Sequence, residues 1–427
     1  MKRKLKIFIY KYINYEVINA VIAAITILTV CIKSNMNKNQ QIQIIDWTIF
    51  SSIVFALLMT AISKLIHNIL MNRLEDSIKL TNDYDELTRM YKNQMVSYDN
   101  SSASKKNLRK VEERCKAKIY IPMVCEHKLQ QCVIDIQDSN DRYELPNIIR
   151  EHFDELFQIH STSKVYNKLN VRVDDWTLNN KKFVMKTSRT TFFDSLVTNR
   201  AMDYRWNNGL TVREQYEFGP ILHTLKDSHL SNHLGFNGFV ISSDGYIFFV
   251  KRGNKLSIGK RTYCNSVSAS LNTSYALNES GHFTEDGLIN SIISEIDNEL
   301  KIPREGLEKF CFREHIIASY RDIVEGGKPQ LLFYVHSKWK KEEIISNFKI
   351  QTKREDKKKD TECREDGRKF LWIHKSKLDQ ICILPEKIVH EGKSYRMMPA
   401  VAASIVIFIE HLRWLNQKEK KESKGHE

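Results

Sequence analysis

Two uncharged apolar runs open the chain and stand apart from everything that follows. They cover residues 17–32 and 47–63, and aromatic residues such as Tyr15 and Trp47 lie at their ends. Each run is a little shorter than the ~20 apolar residues that cross a bilayer core, and flanking aromatic residues are typical of membrane interfaces. The pattern predicts two transmembrane helices within residues 1–72, at about 17–32 and 47–66. A buried helical hairpin in an ordinary core is the alternative.

Basic residues predict the orientation of that hairpin. Five of them precede the first run and two lie in the connecting loop: Lys2, Arg3, Lys4, Lys6 and Lys11, against Lys33 and Lys38. Because cytoplasmic flanks carry the excess of Lys and Arg, we expect a two-pass protein with cytoplasmic N- and C-termini.

The pattern after the hairpin becomes polar and then mixed. Residues 73–110 are predicted to form a stalk and a linker. The helical pattern of the stalk extends to about Met95, and the Ser/Asn-rich stretch at 97–107 indicates the linker. Residues 111–165 read as an α/β connecting region, with a strand-like segment at 115–125 and a helix at 145–160.

A longer domain is predicted at 166–415, followed by a charged tail at 416–427. Asp244-Gly245 separates two β-rich runs, which indicates a hairpin. Further strands are expected at 266–271 and 328–338, and a surface insertion at 351–369. The apolar run at 398–415 is interrupted by a glutamate, which favours a docking helix over a third span.

Charge and cysteine content narrow the partners. Sixty-six basic residues against 52 acidic ones give a net charge of +14, which suits a nucleotide, a nucleic acid or a lipid surface. A merely basic surface is the alternative. The eight cysteines show no CxxC or metal-type spacing, so we expect free thiols and no zinc site.

The stretch "GHFTEDGLINSIISEIDNELKI" (281–302) carries the candidate chemistry. Glu295 and Glu299 are four residues apart, so a helix places both on one face with Asn298 between them. Two carboxylates and a substrate phosphate can hold Mg²⁺. An ordinary amphipathic helix is the alternative.

Four basic residues upstream are candidate phosphate ligands: Lys251, Arg252, Lys255 and Arg261. A solvated charged edge is the alternative.

The order of strand hairpin, glycine turn, acidic helix and strand resembles the Nudix fold over about residues 166–389. In "SEIDNELKI", Glu295 and Glu299 match two carboxylate positions of the Nudix signature. Ser294 stands in place of the signature arginine, Asn298 in place of a glutamate and Lys301 in place of a glycine. The resemblance therefore implies a degenerate site that binds more readily than it hydrolyses.

Two spans joined to such a domain resemble the two-span Nudix effectors of bacterial CBASS, the cyclic-oligonucleotide-based anti-phage signalling systems. The resemblance implies a non-enzymatic effector in the bacterial inner membrane. It would sense a cyclic nucleotide, form homo-oligomers and disrupt the lipid membrane to cause abortive infection. The alternative is a membrane-anchored Nudix hydrolase that cleaves a nucleoside diphosphate derivative.

These expectations define the predicted fold and site. The fold class is a membrane protein: an α-helical transmembrane hairpin plus a cytosolic α+β Nudix-like domain with a mixed sheet and helices. No cofactor is required, and Mg²⁺ is the ion that Glu295 and Glu299 would hold. The predicted ligand residues are Lys251, Arg252, Lys255, Arg261 and Asn298. The predicted partners are a cyclic nucleotide, membrane lipid and further copies of the chain, and not nucleic acid.

Overall fold

The structure is a computed structural model. The structure describes residues 80–102, 117–160, 166–206, 209–253, 258–356 and 369–424. All of them belong to one compact unit, Ile78–Glu427.

The structure corrects the predicted fold class and location. In the described ranges, no helix is both long enough and apolar enough to cross a membrane. The longest, Pro399–Lys424, is predominantly apolar only as far as Ile409, and charged residues are frequent from Glu410 onward. The predictions of a membrane protein with a transmembrane hairpin, and of a two-pass location in the inner membrane, are therefore wrong: the structure is an α+β protein with mixed sheets. The apolar runs at 17–32 and 47–66 themselves lie outside the described residues.

The strands of the described residues are numbered in chain order. They are β1 (Val96–Asp99), β2 (Lys118–Ile121), β3 (Met123–Lys128), β4 (Val133–Arg142), β5 (Leu169–Asn179), β6 (Lys182–Thr191), β7 (Gly235–Ile241), β8 (Tyr246–Lys251), β9 (Tyr263–Cys264), β10 (Val267–Ser270), β11 (Ile316–Asp322), β12 (Lys328–His336), β13 (Phe370–His374), β14 (Cys382–Leu384), β15 (Lys387–His390) and β16 (Lys393–Arg396).

The helices are numbered in the same way. They are α1 (Tyr84–Met90), α2 (Asn147–Glu151), α3 (Phe153–Phe157), α4 (Phe192–Val197), α5 (Val212–Tyr216), α6 (Thr273–Ala276), α7 (Glu285–Leu300), α8 (Phe312–His315), α9 (Lys341–Asp356) and α10 (Pro399–Lys424). Short 3-10 turns occupy Asn100–Ser102, Gln158–His160, Asn199–Ala201, Arg304–Gly306 and Lys375–Gln380.

The largest sheet is mixed and has the strand order β13-β8-β7-β12-β11-β3, with β10 added to β7 and β9 added to β8. Its central pair, β7 and β12, is parallel, whereas its other pairs are antiparallel. A second sheet has the order β4-β6-β5, and β14-β15-β16 and β1-β2 form smaller ones. The parallel central pair needs a long crossover, and α7 lies within it in sequence.

Two helices bury apolar faces in the core that contains this sheet. Helix α7 buries a stripe at three- and four-residue spacing that includes Leu288, Ile292 and Ile296. Helix α10 packs through Phe408, whose ring centroid lies 5.0 Å from that of Phe239 on β7. The polar faces of both helices are thereby left for the cavity rim or for solvent.

Several local predictions are confirmed by the structure. The Asp-Gly pair makes the turn between β7 and β8, where Gly245 has a φ of +84°, a conformation that glycine adopts readily. The strands expected around 115–125, 266–271 and 328–338 are present, and 398–415 is a buried docking helix followed by a polar end.

Other local predictions are wrong at their boundaries. The stalk helix expected to reach Met95 ends at Met90, and part of the expected linker is β1. The helix expected at 145–160 is broken at His152 into α2 and α3. Helix α9 continues to Asp356, inside the expected surface insertion, whose residues 357–368 lie outside the described ranges.

The cysteine prediction holds only in part. Cys125, Cys132, Cys264 and Cys311 are free thiols. Cys382 is disulfide-bonded, so the expectation that all eight are free is wrong at that position.

Candidate functional site

A cavity of about 430 Å³ opens beside the largest sheet and is bordered mainly by polar side chains. Its charged residues are Lys168, Arg200, Arg252, Lys328, Glu295, Glu299, Asp322 and Glu325. Its amide and hydroxyl residues are Asn170, Asn237, Ser268, Ser270, Asn272 and Gln330, and its aromatic residues are Tyr166 and Phe192. This size is within the range of small-molecule sites, and apolar side chains such as Met398 and Val401 complete the lining.

Strand register explains the polar floor of the cavity. Paired residues on neighbouring strands share a face, and so do residues two apart on one strand. The pairs that cross β11, β12, β7 and β10 on one face are Tyr320↔Gln330, Asp322↔Lys328, Gln330↔Gly235, Gly235↔Ser270 and Asn237↔Ser268. The polar positions of these strands therefore form a continuous patch, which we call the polar floor.

Hydrogen bonds connect the members of the polar floor. The Ser268 hydroxyl donates to Asn237 Oδ1 at 2.6 Å, and Asn237 Nδ2 donates to Gln330 Oε1 at 2.9 Å and to the Tyr320 hydroxyl at 2.6 Å. Gly235 makes room for this arrangement, because a Cβ there would come within 2.3 Å of Gln330 Oε1. The floor is thus held in place by its own bonds.

Four buried charged residues lie at one end of the cavity, around the turn between β11 and β12. Glu325 contacts both Lys328 (Nζ–Oε2 3.4 Å) and Arg200 (Nε–Oε2 3.5 Å). Asp322 Oδ1 accepts the backbone N–H groups of Val324 and Glu325 at 2.9 and 3.3 Å. We call Arg200, Asp322, Glu325 and Lys328 the buried charge cluster.

Burial and mutual charge shift the pKa values in this cluster. Burial, reinforced by the Glu325 charge, raises the pKa of Asp322 to about 8. Burial also opposes ionisation of Glu325, but Lys328 and Arg200 hold its pKa below the usual value. Burial lowers the pKa of Lys328 and of Arg200, and Glu325 opposes both shifts. Asp322 is therefore the carboxyl of the cluster whose protonated form is favoured at neutral pH.

Helix α7 brings both predicted metal ligands to the cavity. Thr284 caps its N-terminus by accepting the Gly287 N–H at 3.1 Å, and the apolar stripe then sets the rotation of the helix. Glu295 is half-buried and Glu299 is exposed, and both border the cavity. Burial raises the pKa of Glu295, and Lys168 opposes that shift. A divalent cation bound there would favour the ionised form of Glu295. Carboxylate oxygens are ligands that Mg²⁺ prefers, so the two glutamates fit this ion by residue type.

Arg252 is the one predicted phosphate ligand, of those in the described ranges, that borders the cavity. Its backbone N–H bonds to the Thr262 carbonyl at 2.8 Å, which holds the residue at the end of β8. Its Nε is buried and has no hydrogen-bond partner among the described residues. The same holds for Nδ2 of Asn170, another buried residue at the cavity. A ligand with acceptor atoms suits such groups.

The remaining predicted ligand residues are not brought to the cavity. Lys251 lies with its Nζ 6.0 Å from the Tyr263 ring centroid. Arg261 has a φ of +60° and is exposed, and Asn298 is exposed on α7. Lys255 lies outside the described residues. Asn298 and the two basic residues therefore stay predictions without a place in this cavity.

Sequence reasoning missed the buried charge cluster and the polar floor. A signal was present in "RDIVEGGKPQ", where a Gly-Gly turn is flanked by charged residues in an otherwise β-rich segment. Gly326 and Gly327 have φ values of +63° and +79°, which allow the tight turn that folds Glu325 back toward Lys328. Arg200 gave no comparable signal, because it joins the cluster from 125 residues away in the sequence.

A second group of potential ligand atoms lies at α8 and does not border the cavity. One ligand atom each from Cys311, Glu314 and His315 falls within 4.8 Å of the others. His315 Nδ1 lies 3.2 Å from both the backbone nitrogen and the carbonyl oxygen of Cys311, so the helix turn itself engages that ring nitrogen.

Comparisons with known proteins add little to this geometry. No protein-family model matches the chain, and no curated protein matches it. Among solved structures, DR0079 from Deinococcus radiodurans matches 33% of this chain and 67% of its own, at 12% sequence identity. The TM-score of that match is 0.21, so it carries no argument about fold or function.

Proposed function

We propose that this protein is a nucleotide sensor that binds a cyclic nucleotide of an antiviral signalling system in the cavity beside its largest sheet. The observation that carries the proposal is the lining of that cavity. The amide and hydroxyl residues of the polar floor suit a base, basic side chains suit phosphates, and two glutamates at the rim suit a bridging Mg²⁺. The resemblance to anti-phage effectors supplies the cyclic nucleotide and the antiviral setting.

Binding is favoured over turnover by the state of the carboxylates. Glu325 contacts two buried cations, and Asp322 accepts two backbone N–H groups. Both are therefore occupied within the protein, whereas Glu295 and Glu299 lie on α7 at the cavity, where a metal could approach them. Efficient hydrolysis of a diphosphate needs metal ions that neutralise developing charge and orient a water nucleophile. Two carboxylates suit one bound ion better than a multi-metal site.

The second candidate is a Mg²⁺-dependent hydrolase of a nucleoside diphosphate derivative. It is favoured by one observation: burial raises the pKa of Glu295 at the cavity rim, and such shifts are frequent at catalytic positions. In this reading Glu295 and Glu299 hold the metal and a water attacks the diphosphate.

The two candidates are separated by measuring binding and product release on the same protein. Full-length protein is titrated calorimetrically with a panel of cyclic dinucleotides and cyclic trinucleotides, with and without Mg²⁺. It is also incubated with nucleotide sugars, dinucleotides and ADP-ribose, and products are followed by chromatography. We expect saturable binding of a cyclic nucleotide and little product. Rapid product release that Glu299→Gln abolishes would overturn the sensor in favour of the hydrolase.

Two neighbouring basic residues provide a matched pair of variants. Arg252→Ala removes a guanidinium at the cavity, whereas Lys251→Ala removes a charge that borders Tyr263 instead. We expect about a tenfold loss of affinity for the first and little change for the second. Equal losses would mean that the basic surface as a whole, and not this cavity, binds the nucleotide.

The proposal includes self-association as the response to ligand. Light scattering on full-length protein should show a larger particle when the bound nucleotide is present and not with Arg252→Ala. An unchanged mass at saturating nucleotide would remove oligomerisation from the proposed function.

A further inference from the structure

The Ala400 carbonyl, at the edge of the polar floor, determines which groups of the floor donate hydrogen bonds and which accept them. The Ser404 hydroxyl donates to the Ala400 carbonyl at 2.7 Å, so it offers a lone pair to the neighbouring Tyr320 hydroxyl. With its proton directed there, Tyr320 accepts from Asn237. The amide nitrogen of Asn237 therefore faces both Tyr320 and Gln330 Oε1.

This polarity leaves donors at the cavity. The oxygen of Gln330 is taken by Asn237, and its amide nitrogen has no acceptor among the described residues. Asn272 repeats the arrangement, because its Oδ1 accepts the Ser274 N–H at 3.0 Å as the cap of α6. Its amide nitrogen likewise has no acceptor in the described part of the chain. Both residues border the cavity.

Two acceptor groups on and beside the strands of the polar floor are already engaged. Asn237 Oδ1 accepts from Ser268, and Glu325 contacts Lys328 and Arg200. Beside these two amides a ligand edge that presents acceptors is matched, whereas an amine would face donors. The cavity carboxylates of Glu295 and Glu299 lie on α7 and not on these strands. Among purines, guanine offers two adjacent acceptors, O6 and N7, whereas adenine offers N7 beside an amine.

We propose that the cavity recognises the O6 and N7 edge of a guanine base through the side-chain amides of Gln330, on the polar floor, and of Asn272, which follows β10. The ligand is then a guanine-containing nucleotide, and adenine is rejected because its amine faces two donors. This inference rests on the proposed function, since it names the base that the same cavity takes.

The test compares ligands that differ only in the base. Full-length protein is titrated with cyclic di-GMP against cyclic di-AMP, and with GTP against ATP, in the presence of Mg²⁺. We expect the guanine member of each pair to bind about tenfold more tightly, as for a two-bond base contact. Equal affinity, or tighter binding of the adenine member, would overturn the guanine inference while leaving nucleotide binding intact. If no nucleotide binds, the proposed function fails as well.

A nearly isosteric variant guards against misfolding. Asn272→Asp keeps the oxygen that caps α6, since aspartate is also a good N-cap, and replaces the cavity donor by an acceptor. We expect the guanine preference to fall about tenfold or to reverse. Gln330→Glu makes the same exchange on β12, and Gln380→Glu, at an exposed position away from the cavity, serves as control. An unchanged preference in both cavity variants would assign base selection elsewhere.

Discussion

Two pairs of acidic residues border the same cavity in opposite electrostatic settings. Asp322 and Glu325 are buried beside Lys328 and Arg200, in a turn between two central strands. Glu295 and Glu299 lie on one face of α7, half-buried and exposed respectively. The first pair lies among buried cations and backbone N–H groups, whereas the second lies at the cavity rim, where an external cation could approach it. The comparison separates a part of the cavity that holds the fold together from a part that serves a ligand.

The largest effect on the free energy of unfolding is expected when the buried charge cluster loses a cation. Lys328→Met leaves the Glu325 carboxylate buried with one partner fewer, and breaking a buried ion pair from one side costs about 3–5 kcal/mol. Urea unfolding at pH 7 measures the change in the free energy of unfolding. The exposed Lys340→Met is the control. The double variant Glu325→Gln/Lys328→Met should recover much of the loss, and failure to recover would mean that Lys328 acts through packing alone.

A pH effect is expected from the same cluster. Because the folded pKa of Asp322 is raised to about 8, the folded state binds more protons than the unfolded state between about pH 4 and pH 8. Stability from this group is complete below pH 4 and is lost as the pH rises through 8. The lowered pKa of Glu325 acts in the other direction at acid pH, and the lowered pKa of Lys328 acts in the other direction at higher pH.

The measurement is a series of urea unfolding curves across that window. We expect the free energy of unfolding to fall by at least about 1 kcal/mol from pH 5 to pH 9, and Asp322→Asn to flatten the curve. A wild-type stability that rises steadily over the same window would show that Asp322 is ionised throughout.

An intermediate effect on stability is expected where α7 packs against α6. A Cβ at Gly287 would lie 1.9 Å from the Ala276 carbonyl oxygen, so the helix approaches α6 more closely than any other residue allows. Helix propensity alone predicts that Gly→Ala stabilises by about 1 kcal/mol. We expect Gly287→Ala instead to destabilise by about 1–3 kcal/mol, as overpacking does. Thermal unfolding measures it, with Asn298→Ala on the exposed face of α7 as control.

The smallest effect on stability is expected at the rim. Glu295→Gln should change the free energy of unfolding by less than about 0.5 kcal/mol, since it breaks no ion pair of the described residues and keeps the shape of the side chain. The Mg²⁺-dependent part of nucleotide affinity should fall in the same variant. A loss of stability comparable to that of Lys328→Met would contradict the division between the two acidic pairs.

Local patterns predicted the elements near the site. The apolar spacing of Leu288, Ile292 and Ile296 predicts a helix that turns Glu295 and Glu299 to its other side, and the structure has that helix. Such predictions succeed because helix periodicity and turn chemistry depend on residues only a few positions apart. The membrane prediction used equally local information and is contradicted for the described residues.

Local sequence patterns were sufficient to predict the central helix, the Asp-Gly hairpin, the docking helix at 398–415 and the placement of two glutamates on one helical face. Which charges meet depends instead on contacts between distant parts of the chain. Arg200 joins Glu325 across 125 positions, and Asn237 joins Gln330 across 93, through strands whose pairing order departs from chain order. The physical reason is that the burial which shifts the pKa of Asp322, and the register which aligns the polar floor, arise only when distant strands pair.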